Sequence, residues 1–115
     1  MIDVSDRELK IINDILAGFV PECEVLAFGS RVNGNTKLYS DLDLAVIGKE
    51  KLSIRVLGKL REAFQMCELP FRIDVIDWHS CSDAFKNIIE QKYELVQSSA
   101  FINLHSGKTY KGNGK

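Results

Sequence analysis

"LAFGSRVNGNTKLYSDLDLAVIG", residues 26–48, is the stretch on which the reading of this chain turns. An apolar run ends at Phe28. Gly29-Ser30 follows, then ten residues, then Asp41-Leu42-Asp43 at the head of a second apolar run. Short apolar runs bounded by Gly and polar residues read as strands, here over 23–29 and 41–48. The polar "SRVNGNTKLYS" between them has room for one helical turn and a loop. Side chains alternate across a strand, so Asp41 and Asp43 share one face with Ala45 and Ile47, while Leu42, Leu44 and Val46 turn to the other. Carboxylates entering a strand of this kind pose a physical problem, because a buried charge is costly unless a partner charge or a metal ion compensates it.

The flanks supply the rest of a small fold. Upstream, Ser5 and Glu8 form an S-x-x-E capping box, and Leu9, Ile12, Leu16 and Phe19 recur at helical spacing until Gly18 and Pro21 end the helix. Downstream, residues 53–68 carry Leu57, Leu60, Phe64 and Cys67 on one helical stripe stopped by Pro70. Gly58 weakens that helix by about 1 kcal/mol relative to Ala. "FRIDVID" (71–77) reads as a third strand. Residues 82–97 return to helical spacing through Phe85, Ile88, Ile89, Lys92, Tyr93 and Val96, with Ser82 as N-cap. The order helix, strand, strand, helix, strand, helix predicts an α/β (α+β) fold: a small mixed β-sheet with helices packed on one face and the other face open for a site. Residues 1–100 form the predicted domain, and the polar, Gly-rich tail 101–115 is expected to be mobile. "SGKT" in that tail is not a P-loop, since Ile102 stands where the motif needs Gly.

Composition narrows the function classes. A chain of 115 residues suits one domain, and 45% hydrophobic with 27% charged residues is globular. A formal net charge of −1 and the lack of an aromatic and basic stripe predict no direct nucleic-acid binding. Cys23, Cys67 and Cys81 are odd in number, widely spaced and lack a C-x-x-C pair, so neither a disulfide framework nor a zinc site is suggested. "MIDVSDRELK" carries no signal pattern and no apolar run approaches membrane length, so a cytoplasmic protein without membrane contact is expected.

Two carboxylates on one strand face, with Cβ atoms roughly 6–7 Å apart, can share a cation. Magnesium suits them, because it takes one or two carboxylates and completes its shell with water and phosphate oxygens. Gly29 permits close backbone approach, and a turn starting at Ser30 aims N–H groups outward as an anion cradle. A third carboxylate comes from "RIDVID". Asp74 and Asp77 have opposite parity, so only one faces Asp41 and Asp43. Asp77 sits at the strand end, where capping is common, whereas Asp74 lies between Ile73 and Val75 and has more need of a purpose. Each piece alone also has a plainer reading: a strand-entrance cap for Asp41, solvated edge positions for Asp43 and Asp74, an ordinary turn at Gly29-Ser30. His79 and His105 lack ligand partners at metal spacing, and Tyr39 and Trp78 fit either base stacking or core.

Read together, Gly29-Ser30, ten residues, then Asp41-Leu42-Asp43 resembles the G-S-x10-D-x-D signature of the DNA polymerase β-like nucleotidyltransferase superfamily. "FGSRVNG…SDLDLAV" with "RIDVID" looks most like its minimal nucleotidyltransferases, over roughly residues 5–97. The resemblance implies that Asp41, Asp43 and Asp74 bind two Mg²⁺ ions, with Asp74 completing the site of the acceptor hydroxyl. It implies that Gly29, Ser30, Arg31 and Ser40 hold a nucleoside triphosphate, ATP, whose pyrophosphate is released. Lys37 is also within reach of phosphates, although a solvated loop cation is its simpler reading. Minimal proteins of this type are antitoxins paired with HEPN-domain ribonuclease toxins, which implies transfer of AMP to a tyrosine hydroxyl of such a toxin. Two alternatives stand beside it: a non-catalytic antitoxin that masks its partner, and a nucleotidyltransferase acting on a small molecule. The complete set of acids with Gly-Ser argues against a decayed site, and so short a chain offers few walls for a drug pocket.

Overall fold

The computed structural model describes residues 2–34 and 41–99. The expectations on Lys37, Tyr39, Ser40, His105 and the 101–115 tail lie outside the described residues. The elements are α1 (Asp6–Phe19), β1 (Glu24–Phe28), α2 (Ser30–Asn33), β2 (Leu42–Ile47), α3 (Ile54–Met66), β3 (Ile73–Asp77), a 3₁₀ turn (Trp78–Ser80), α4 (Asp83–Gln91) and β4 (Glu94–Gln97). Local chemistry sets the helix starts. Ser5 Oγ accepts from the Glu8 N–H at 3.1 Å while Glu8 Oε1 accepts from the Ser5 N–H at 2.8 Å, closing the capping box. Ser53 and Ser82 cap α3 and α4 in the same side-chain-to-backbone manner.

The sheet has the order β3-β2-β1-β4. β1 runs antiparallel to β2 and β4, and β3 is parallel to β2. Parallel neighbours need a long crossover, which α3 provides. α1 and α3 cover one face, where Ile12, Leu16 and Leu60 bury completely against Val25, Ala27, Leu44 and Val46.

Two features differ from the expected layout. First, the helical stripe read through 97 stops at Gln91, and Glu94–Gln97 is a fourth strand on the outer edge of β1. β1 is buried from Glu24 to Ala27, so its main chain has to be paired on both sides. The residues after α4 also obey a period of two, with Tyr93 and Leu95 on one face of the sheet and Val96 on the other. Second, the other face is not wholly open. Trp78 and Ile89, with Phe85 beside them, close a smaller cluster over Leu26, Ala45 and Ile47. α4 thus covers one end of that face, and Phe85 meets Phe28 edge-on at 5.9 Å between ring centroids, ahead of the end where β2 begins.

β4 is fastened by Gln97, whose Nε2 donates to the Val20 and Cys23 carbonyls at 2.8 and 2.9 Å. Gln97→Ala is expected to lower unfolding free energy by about 1–2 kcal/mol, the typical cost of leaving buried acceptors poorly satisfied. Chemical denaturation checks this, and hydrogen exchange should locate the loss at the β1–β4 ladder.

Candidate active site

The sheet register assembles the acids. Asp43 on β2 is paired with Asp74 on β3 and with Phe28 on β1, so one sheet row reads Phe28, Asp43, Asp74. Asp43, Ala45 and Ile47 face the same side, as do Asp74 and Ile76, which puts both carboxylates on the partly covered face beyond the reach of α4. Asp41 precedes β2 by one residue and is half-buried. Asp77 takes the opposite parity: it is buried, accepts from the Leu52 and His79 N–H groups at 2.9 and 3.1 Å, and caps the 3₁₀ turn. The parity left open by the sequence therefore resolves to Asp74 at the site and Asp77 in the scaffold.

Gly29 follows Phe28 on the third strand of the row. Its backbone sits at φ 88°, ψ −160°, a region essentially restricted to glycine. A Cβ there would collide with the Asp43 carboxylate. The main chain of β1 therefore runs directly against Asp43, and the chain turns at once into α2, where the Val32 N–H donates to the Gly29 carbonyl at 3.0 Å.

Electrostatics marks the same spot. Asp43 is pushed up to about 6, first by burial and then by the negative charges of Asp74 and Asp41. Among the described residues, no three His, Cys, Asp or Glu side chains are gathered tightly enough to hold an ion alone. Carboxylates are the donors magnesium takes, one or two at a time, with phosphate and water completing its shell. The carboxylate oxygens and the raised Asp43 both fit such an ion: the donors are hard, and a cation would relieve the repulsion that favours the protonated acid.

The other sequence candidates are placed as follows. Ser30 begins α2 beside Gly29 and is half-buried. Arg31 is buried, with its guanidinium 3.9 Å above the Phe71 ring and Nη1 donating to the Asp3 carbonyl at 2.9 Å. The Asp3 N–H in turn donates to the Arg31 carbonyl, so this arginine ties the N-terminal segment and the approach to β3 onto the turn after Gly29. Trp78 is core under α4, and His79 Nε2 lies 2.7 Å from the Gly48 carbonyl, to which it donates. All three cysteines are free thiols. Sequence reasoning missed Phe71, read as strand although β3 starts at Ile73, and Arg61, whose Nε and Nη2 both donate to the Val75 carbonyl. An aromatic one residue before an arginine, just after Pro70, was the available signal for a turn rather than a strand.

This fold and row of acids define a polymerase β-type nucleotidyltransferase domain, and the family model "Polymerase beta, Nucleotidyltransferase" matches residues 10–100. The chain belongs to that family. It is 45% identical over 96 residues to the probable protein adenylyltransferase MntA of Haemophilus influenzae, covering 84% of each chain. Its fold is similar to that in a crystal structure of a toxin–antitoxin with AMP-PNP, with a TM-score of 0.68, 20% identity, and 81% of this chain and 75% of that chain covered. It is also similar to that in the tri-AMPylated Shewanella oneidensis HEPN toxin in complex with MNT antitoxin, at a TM-score of 0.62 and 20% identity over 81% of this chain and 71% of that chain.

Two outcomes follow from the geometry. Gly29→Ala is expected to cost on the order of 1–3 kcal/mol through its backbone conformation. It should also displace the Asp43 carboxylate, so nucleotidyl transfer should fall by more than the stability loss explains; thermal unfolding beside turnover measurements checks both. Asp43 supplies a pH signature. Its folded value lies above the unfolded one, so its contribution to stability is full below about 3.8 and is lost as pH rises through about 6. Asp43→Asn without added metal should therefore stabilise the protein at pH 7.5 by on the order of 1–2 kcal/mol after allowance for solvent screening. The gain should vanish near pH 3.5, and thermal melts across this range would show it.

Proposed function

We propose that this protein is a Mg²⁺-dependent adenylyltransferase that moves AMP from ATP onto a hydroxyl of a partner HEPN-domain toxin, a tyrosine, and so acts as its antitoxin. The single observation that carries the chemistry is the register pairing of Asp43 with Asp74 beside the Cβ-free approach of Gly29. The relative named as a protein adenylyltransferase supports the reaction class, and the toxin–antitoxin structures of similar fold suit the partner class. Free cysteines and the absence, among the described residues, of a helix long and apolar enough to cross a membrane accord with a reducing cytoplasm.

In this reading Gly29 and Ser30 lie along the triphosphate, and Ser40 belongs to the same set. Arg31 belongs to the same nucleotide-binding set, and it also fixes the turn against Phe71 and Asp3. Asp41 and Asp43 hold the cations, two in number, which when bound supply charge neutralisation and polarise the transferred phosphoryl group. Asp74 sits on the acceptor side and orients the acceptor hydroxyl, taking its proton as the oxygen bonds to the α-phosphorus. The bond from that phosphorus to the β-phosphate bridging oxygen breaks, and pyrophosphate departs with the electron pair. Positioning and electrostatic stabilisation account for most of the rate.

The test incubates the protein with Mg²⁺, α-labelled ATP and the HEPN-domain protein encoded beside it. Label on the partner is expected, abolished by chelation and reduced at least about 100-fold by Asp41→Asn or Asp43→Asn. Partner neutralisation that survives both substitutions without any label would establish masking instead.

A further inference from the structure

Asp74 stands where two spaces meet. One is the open end of the sheet with Asp41 and Asp43. The other is a trough of about 650 Å³ between α3 and β3, whose lining includes Asp41 and Asp74. One wall is a single face of α3, Arg61, Phe64 and Gln65, brought together by helical spacing. The other is the Phe71-Arg72-Ile73 approach to β3. Phe64 and Phe71 are buried and give the trough an apolar base. Away from the two aspartates, its charged lining residues are Arg61 and Arg72. β3 is the outermost strand on this side, so the trough follows a sheet edge, and Arg61 blunts that edge by holding the Val75 carbonyl at 3.1 and 2.8 Å.

We propose that this trough seats a carboxylate-bearing segment of the acceptor protein and delivers the acceptor hydroxyl to Asp74. The proposal rests on the nucleotidyl-transfer reading above and names the surface that reading leaves undefined. Charge decides the occupant. Exposed Arg72, with Arg61 behind it on the Val75 carbonyl, favours an anionic ligand, and Asp41 and Asp74 line the same trough. A small acceptor would bind at the acids alone and leave the arginine walls unused. Nucleic acid would satisfy the arginines but would carry a continuous run of phosphates along a chain of net charge −1 and past the two carboxylates that line the trough. A protein segment with one or two acidic side chains spaced from its hydroxyl suits both the arginines and the aspartates of that lining.

The experiment uses Arg72→Glu, which reverses an exposed charge on the rim, and Gln65→Trp, which fills the trough from an exposed helix position. Neither residue belongs to the metal or phosphate machinery. With the whole HEPN-domain partner as acceptor, each variant is expected to raise its KM at least about tenfold while kcat stays within about threefold and the KM for ATP is unchanged. Rising salt should weaken partner binding in the unsubstituted protein and much less in Arg72→Glu. An unchanged acceptor KM in both variants, with the unsubstituted protein active, overturns the docking surface and leaves the transferase reading standing. Faster labelling of an oligonucleotide or a small alcohol, with a KM raised equally by the variants, also overturns the protein occupant. No label on any acceptor from the unsubstituted protein overturns both readings together. If Gln65→Trp fails to fold, as judged by circular dichroism, Arg72→Glu decides alone.

Discussion

Asp43 and Asp74 are register neighbours on parallel strands, which sets their backbones roughly 4.8 Å apart and aims both carboxylates at one face. Asp41 adds a third negative charge from the mouth of the same strand. Such an arrangement works against folding at neutral pH, because like charges in a partly desolvated place repel. The structure holds it anyway, since Leu42, Leu44 and Val46 alternate with the acids and are anchored in the main core. The pleat that buries one set of side chains forces the other set together. The resulting excess of negative charge is what a bound cation would relieve.

The contrast with the other buried charges sharpens the point. Asp77 is buried to 3% exposure, yet main-chain N–H groups from Leu52 and His79 meet its carboxylate. Arg31 is buried to 8%, yet lies on an aromatic ring and donates to a carbonyl. Both are compensated from within the fold and act as fasteners, one at each end of the central strands. Asp43 has been left with like charges beside it and with a glycine where any side chain would intrude. Among the described residues, partners meet Asp77 and Arg31 while like charges surround Asp43, and that contrast separates scaffold from site on physical grounds.

Much of this was legible in the sequence. The period of two in "DLDLAVI" gave the shared face, the spacing from Gly29-Ser30 gave the neighbouring strand end, and "RIDVID" offered Asp74 and Asp77 as candidates for a third acid. Three things were not legible. Whether Asp74 or Asp77 faces the site depends on register, which alternation within one strand leaves undetermined. The strand at Glu94–Gln97 was hidden because Phe85, Ile89, Tyr93 and Val96 fit a helical stripe as well as they fit a helix followed by a strand; only the unmet pairing of buried β1 breaks the tie. The packing of Arg31 into the fold is the third. Its aromatic platform, Phe71, is forty residues away and could not be paired with it by spacing.

The half-covered face explains how so small a domain can host a transferase site. α4 has nine residues and spans about 14 Å, while six-residue β2 spans about 20 Å, so even laid along the strand the helix itself cannot cover the whole of it. Covering the rest with a longer helix would strengthen the second cluster of Leu26, Ala45, Ile47 and Trp78, but it would seat apolar side chains on three carboxylates. The uncovered stretch begins at the Phe28–Phe85 contact, where the facing residues change from apolar to acidic. Burial therefore stops where its free-energy return changes sign. Among the described residues, the α3–β3 side brings Asp41 and Asp74 to the same lining as Arg61 and Arg72, so the acids are reached from the sheet edge as well as from its face.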